Sequence, residues 1–327
     1  MIAPLRDDHP RDRTIAVTGA SGFVGNALVR ALDAEGYDVM ALSRRRPENL
    51  PDAVRWREMP DLAPTMDTTG LFDGVSAVVH CAARVHVMDD SAVDPLAEFR
   101  AANRDGTLVL AEAARVAAVE RFVFVSSIKV NGEASASGRP IHPDDPPAPG
   151  DPYGISKLEA EVGLRDLLRH SDTALSIVRP VLVYGRGVRA NFAALAKLAA
   201  SGLPLPFRSV SNARSLVYLG NLVDLLSRLA TGRIQSQRDV FLASDAESVS
   251  TGYLVRAMAE AQGRRSVQIK VPPRFLAAIA RILGKRAFAQ RLLGDLVVDR
   301  THLEQAGWSA PFTLHQGLRE TFASDER

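Results

Sequence analysis

Apolar positions recur along this chain in two rhythms. From residue 14, short apolar runs (Thr14 to Thr18, Tyr37 to Leu42, Ala77 to His80, Phe122 to Ser126 and Ala174 to Arg179) alternate with longer stretches of helical spacing. Each run is bounded by turn residues and followed by a helical stretch, as in a parallel sheet covered on both faces. The first helix is the clearest: Val24, Leu28, Val29 and Leu32 share one face, and Gly36 stands where a helix would end. The pattern predicts an α/β fold built on a doubly wound parallel sheet.

Past residue 186 the rhythm loosens. Gly202, Pro204, Pro206 and the pair Pro272-Pro273 interrupt helical segments such as Phe192 to Ala200 and Thr251 to Gln262, which predicts a smaller, mostly helical C-terminal lobe. Two apolar runs inside it, Leu216 to Leu219 and Val240 to Leu242, read as strands returning to the main sheet. The expected layout is a flexible tail over 1–13, a main domain over 14–186 with returning strands within 216–246, and a second lobe from 187–215 and 247–327. Phe275 to Leu283 is apolar with Arg and Lys nearby, which suggests either membrane contact or a core helix with a cationic end; the second is the commoner arrangement.

Composition narrows the class. With 46% hydrophobic and 24% charged residues the chain is ordinary globular material, and 40 basic against 38 acidic residues leave no overall field to attract nucleic acid. The single Cys81 excludes an internal disulfide and a cysteine metal cluster, and at the end of an apolar run it reads as a small buried hydrophobe. Met1 to Arg13 lacks the apolar core of a signal peptide, and no stretch reaches membrane-span length. A cytoplasmic protein without membrane insertion is expected.

The candidate chemistry begins where Thr14 to Thr18 runs into Gly19-Ala20-Ser21-Gly22-Phe23-Val24-Gly25 and an amphipathic helix follows. Glycines so spaced let the turn bend tightly and let backbone N–H groups approach a pyrophosphate at the helix's positive end. In this strand-turn-helix context they predict a dinucleotide site within 14–186, and no Gly-Lys-Ser/Thr follows to make a Walker loop. Further on, Asp151 and Pro152 suit an N-cap and first helical residue, which places Tyr153 and Lys157 on one face about 6 Å apart. An ammonium there would lower the phenol toward working pH. Phe122 to Val125 ends in two hydroxyls, Ser126 and Ser127.

Gly19-x-x-Gly22-x-x-Gly25, Ser127 and the Tyr153-x-x-x-Lys157 pair together resemble the extended short-chain dehydrogenase/reductases, the NAD-dependent epimerase/dehydratase family, over nearly the whole chain after residue 13. The resemblance implies a Rossmann-type fold, with Ser127, Tyr153 and Lys157 as catalytic residues and Ser126 as a turn residue. It implies cofactor contacts from Gly19, Ser21, Gly22, Phe23, Val24 and Gly25, from Asp61 and Leu62 at the adenine edge, from Ala82 and Ala83, and from Asn103, besides Tyr153 and Lys157. At the end of the second strand NAD enzymes carry an acidic residue for the ribose; here Ser43 and Arg44 stand there and suit a 2′-phosphate. NADP(H) is favoured, with NAD(H) open. In the second lobe the resemblance places Asn191, Phe192, Arg214 and Arg291 on a nucleotide sugar.

Family dehydratases carry an Asp-Glu pair after the catalytic hydroxyl, where this chain has Ile128 and Lys129, so dehydration is not expected. The segments around Ser126 to Glu133, Val188 to Phe192 and Gly202 to Pro206 are similar to the bacterial surface-polysaccharide (O-antigen) branch, which implies C4 reduction of a UDP-4-keto-6-deoxy-N-acetylhexosamine. A UDP-glucose or UDP-N-acetylglucosamine 4-epimerase is the alternative, although Asn131 replaces the Tyr of the epimerase archetype. A non-catalytic dinucleotide sensor is a third reading, disfavoured by the intact Ser127, Tyr153 and Lys157. A homodimer is open as the assembly.

Overall fold

A computed structural model describes residues 13–85, 94–136, 138–234, 239–282 and 286–323; most of the tail expected over 1–13 lies outside them. In chain order the first elements are β1 (Thr14–Thr18), α1 (Phe23–Ala34), β2 (Asp38–Ser43), β3 (Arg55–Glu58), β4 (Val75–His80), α2 (Pro95–Phe99), a π-helical stretch (Arg100–Asp105), α3 (Gly106–Val116) and β5 (Arg121–Val125). Then come α4 (Pro152–Leu168), β6 (Ala174–Pro180), β7 (Leu182–Tyr184), α5 (Ala190–Ala200), β8 (Arg214–Tyr218), α6 (Leu219–Ala230), β9 (Val240–Ala243) and β10 (Ser248–Val249). The last are α7 (Thr251–Ala261), α8 (Pro273–Ile282), α9 (Arg286–Leu293), α10 (Thr301–Gln305) and α11 (Leu314–Phe322).

Seven strands form one sheet in the order β3-β2-β1-β4-β5-β6-β9, with parallel pairing from β3 through β6. This is the doubly wound, Rossmann-like sheet the apolar rhythm predicts. The central strands are apolar on both faces because helices cover both: β1, β2 and β4 are buried almost throughout. Helix α1 buries Gly25, Leu28, Val29 and Leu32. It ends at Gly36, whose φ of +85° admits a reversal in which Tyr37 N–H reaches back to Leu32 O at 3.0 Å.

The described residues group into two compact units, one from the chain up to Val130 with Pro149–Arg179 and Val223–Phe241, the other from Asn131–Ala148, Pro180–Leu222 and Leu242 onward. This differs from the layout expected from sequence in three places. Asn131–Ala148 leaves the main domain, so does the stretch from Pro180 to Arg186, and β8 does not return to the main sheet. It pairs parallel with β7 and antiparallel with β10 in a separate three-stranded sheet, while β9 takes the edge beside β6. An apolar run announces a strand but not its partner.

Helix α8 departs from expectation as well, since none of its residues is buried. It is not a core helix. Among the described residues no helix is long and apolar enough to cross a membrane.

Candidate active site

In the first unit the chain leaves β1 in mid-sheet and turns sharply into α1. Gly19 has a φ of +68°, and a Cβ on it would lie 2.7 Å from the backbone N of Ala82; one on Gly25 would lie 2.3 Å from Gly19 O. Neither position accepts a side chain. Gly22 caps α1 without any side-chain hydrogen bond and no acidic residue stands in the first turn, so the helix's leading N–H groups keep their capacity for an outside acceptor. Ser21 and Gly22 are exposed, with Phe23, Val24, Ala82 and Ala83 half-buried. Donors free of a capping side chain, in a cradle that excludes a Cβ, fit a pyrophosphate.

At the end of β2 the Ser43 side chain is committed within the protein. Its hydroxyl donates to Arg45 O at 2.7 Å and accepts from Trp56 Nε1 at 3.2 Å, so Ser43 shapes the loop rather than offering a free donor as expected. Arg44 is exposed and pairs with Asp61 at 2.8 Å. Two residues assigned to different parts of a cofactor are thus in contact. Beside them Leu62 packs on Gly106, where a Cβ would fall 2.8 Å from the Leu62 Cβ.

The two hydroxyls after β5 have opposite surroundings. Ser126 is buried and donates to Glu161 at 2.5 Å; Glu161 in turn accepts from Arg179, whose side chain is equally buried. Ser127 is half-buried and hydrogen-bonds Tyr153. Asp151 caps α4 by accepting from Gly154 N at 2.7 Å, and Pro152 fills the first helical position. The Asp151 carboxylate also pairs with Lys129, whose ammonium stands 5.8 Å from the Tyr153 ring centroid.

Lys157 is buried, donates to Val125 O at 2.8 Å and lies over the Phe124 ring at 4.4 Å. Burial draws its ammonium down to about 8, opposed by Glu161 and Cys81. Tyr153 moves the other way: burial and then the Asp151 charge push it up to about 12, against the Ser127 hydrogen bond. The lowering expected from Lys157 is therefore not what this arrangement produces, because desolvation of the phenolate dominates.

Behind these groups lies a polar chain that the sequence did not announce. Thr107 donates to Asn103 O at 2.7 Å, so it accepts from Nε2–H of His80 at 2.9 Å; Nδ1 then accepts from Thr18 at 2.6 Å. Burial, reinforced by Lys157, draws His80 down to about 3 and keeps it neutral. Asn103 is also fully engaged, accepting from Arg84 N at 2.8 Å and donating to Arg84 O at 3.0 Å and Ser156 Oγ at 3.1 Å. It braces the β4 exit against α4 rather than presenting a free amide to a cofactor. The single clue was a polar residue closing an apolar strand.

In the second unit the expected sugar-binding residues divide. Arg214 on β8 donates to Gly294 O at 3.1 Å, and Arg291 on α9 donates to Glu133 at 3.3 Å. Burial, followed by the charge of Arg291, lowers Arg214 from the usual guanidinium range, so the two cations are neighbours. Asn191 is exposed at the start of α5. Phe192 instead lies in the core, stacked on Tyr184 with centroids 5.3 Å apart. Its ring packs within the second unit's core.

Residues 15–242 match the sequence model of the NAD dependent epimerase/dehydratase family. The chain belongs to that family. It is accordingly an enzyme of the extended short-chain dehydrogenase/reductase type. A family relative, the UDP-glucose 4-epimerase of Vibrio cholerae, is 40% identical over 96% of each chain. The N-acetyl-alpha-D-glucosaminyl-diphospho-ditrans,octacis-undecaprenol 4-epimerase of Escherichia coli O157:H7 is 26% identical over 94% of this chain and 93% of its own. A solved structure of MoeE5 in complex with UDP-glucose and NAD matches with a TM-score of 0.70 at 25% identity, covering 94% of this chain and 97% of the other.

Proposed function

We propose that this enzyme reduces the C4 ketone of a UDP-4-keto-6-deoxy-N-acetylhexosamine, in the cytoplasm, for surface polysaccharide such as O-antigen. The observation that carries the reading is the environment of Tyr153. Burial and Asp151 hold its phenol protonated at neutral pH, which is the form that gives a proton to the C4 oxygen as a ketone becomes an alcohol. Ser127, already bonded to Tyr153, orients the same oxygen. Lys157 holds the ribose beside it. A nicotinamide dinucleotide held at the Gly19 to Gly25 turn would supply the hydride. Ala82, Ala83 and Leu62 would line its place, and the exposed Arg44 would exchange Asp61 for a 2′-phosphate, the ground on which NADP(H) is proposed over NAD(H). Arg214 and Arg291 hold the substrate diphosphate, and Asn191, exposed at the start of α5, meets the nucleotide sugar with them.

A second reading, UDP-sugar 4-epimerase, is favoured by the 40% identity to the Vibrio cholerae enzyme. An epimerase uses Tyr153 as base and then as acid and returns the hydride it removes. Purified protein incubated with the 4-keto sugar and NADPH separates the two. The proposal expects protein that purifies mostly free of nicotinamide and loss of NADPH mole for mole with sugar. Stoichiometric bound NAD, with UDP-glucose or UDP-N-acetylglucosamine converted to its C4 epimer without reductant, would establish the second reading.

A further inference from the structure

Helix α8 stands apart in the second unit. Helices α5, α7, α10 and α11 each bury residues, whereas α8 buries none. Its large apolar residues are nevertheless ordered on the surface: Phe275, Ile279 and Ile282, spaced i, i+4 and i+7, are 53%, 54% and 82% exposed and form one stripe. Leu276, turned off that stripe, packs toward the core, so the helix is held from one side and leaves the other to solvent. Arg274 and Arg281, seven residues apart, run along one border of the stripe and are exposed. Immediately before it Val267 and Ile269 are 49% and 47% exposed, flanking Gln268, whose amide is bonded inward to Gly252 O.

Charge identifies what this face meets. From Ala261 to Gly294 the sequence carries eight Lys or Arg and no Asp or Glu, in a chain whose net charge is only +2. Apolar side chains in a row bordered by cations are the pattern of a helix lying in the plane of a bilayer surface, apolar side toward the acyl chains and cations at the phosphates. A second copy of this chain is a poorer partner, because a symmetric contact through α8 would bring Arg274 and Arg281 against their own copies with no acidic residue in the segment to receive them.

We propose that α8 is a membrane-surface contact that seats the enzyme peripherally on an anionic bilayer. The stripe of Phe275, Ile279 and Ile282 enters the headgroup boundary, and Arg274 and Arg281, with Arg264, Arg265 and Lys270 before them, meet lipid phosphates. The contact is independent of the reaction proposed above and uses none of the residues placed at its site.

Flotation of the full chain with vesicles tests it, using phosphatidylethanolamine with phosphatidylglycerol in one arm and phosphatidylcholine alone in the other. The wild type is expected to float with the anionic vesicles and not with the neutral ones, and to release as salt rises. The double substitution Arg274→Gln with Arg281→Gln should lower partitioning roughly thirtyfold. The triple substitution Phe275→Ser, Ile279→Ser and Ile282→Ser should abolish it while far-ultraviolet circular dichroism and dinucleotide binding stay unchanged. Wild type that remains unbound with anionic vesicles, or a triple variant that binds as well as wild type, overturns the proposal. A wild-type dimer that the triple variant converts to monomer, without vesicle binding by either, would assign the face to a second copy instead.

Discussion

The two units hold their candidate chemistry by different means. In the first, the glycine turn and the Tyr153 to Lys157 pair are each a single short stretch of sequence, and each group is placed by the element it terminates or starts: Ser127 by the end of β5, Tyr153 by the capped start of α4. In the second, Arg214, Arg291, Asn191 and Phe192 come from β8, α9 and α5, and packing alone decides what each does. Two arginines converge while Phe192 turns into the core beside Tyr184. Local grammar predicts chemistry where a motif is also an element boundary, and loses its power where residues are gathered from distant segments.

The sharpest way to break the comparison is Tyr153→Phe. It deletes a proton donor and little volume, so turnover should fall by roughly 10² to 10⁴ while dinucleotide affinity holds; near wild-type turnover would remove Tyr153 from the chemistry. Next is the contrast inside the second unit. Phe192→Ala empties a core position and should cost about 3 to 5 kcal/mol in chemical denaturation, with KM for the sugar nucleotide little changed in what remains folded. Arg291→Ala should do the reverse, raising KM roughly ten- to a hundredfold at nearly unchanged stability. If Phe192→Ala instead raises KM without loss of stability, the ring is a ligand contact after all.

A smaller effect is expected at the cofactor loop, where Arg44→Ala should erase much of the NADPH over NADH preference in direct binding, by roughly tenfold or somewhat more. Equal affinity of the wild type for both cofactors would contradict the reading of β2. The smallest concerns pH. Reduction needs the protonated phenol, so its rate is lost as pH climbs through the raised Tyr153 value. Lys129→Met leaves Asp151 uncompensated and should shift that alkaline loss upward, and Asp151→Asn, which keeps a competent N-cap, should shift it downward, each by roughly one unit or less. Lys129→Arg should restore the wild-type profile. A rate that rises with pH across the neutral range would show that the phenolate does the work.

Much of the first unit was legible in its sequence. Five sheet strands, α1 with its glycine ending, and α4 with its Asp151 cap announce themselves by apolar runs and punctuation residues. Strand β3 did not, since an edge strand reading Arg55-Trp56-Arg57-Glu58 has no buried face to write into its pattern. The brace of His80 and Asn103 was invisible because it depends on register between β1 and β4 and on α3 lying behind them. Helix α8 shows the limit most clearly. Its amphipathic spacing matches that of α1, yet one face is covered by a sheet and the other by nothing in the described chain, and periodicity alone does not distinguish the two.

The central claim, that Tyr153 and its neighbours serve net delivery of hydride to C4, is tested most directly by following isotope. With NADPH deuterated at the transferable C4 position and a UDP-4-keto-6-deoxy-N-acetylhexosamine as substrate, mass spectrometry and nuclear magnetic resonance of the product locate the label. The account predicts one deuterium at the sugar C4 for each NADPH oxidised. A 4-keto sugar left unreduced with no NADPH consumed, while UDP-glucose or UDP-N-acetylglucosamine supplied in its place is converted to its C4 epimer without gaining deuterium, would contradict it.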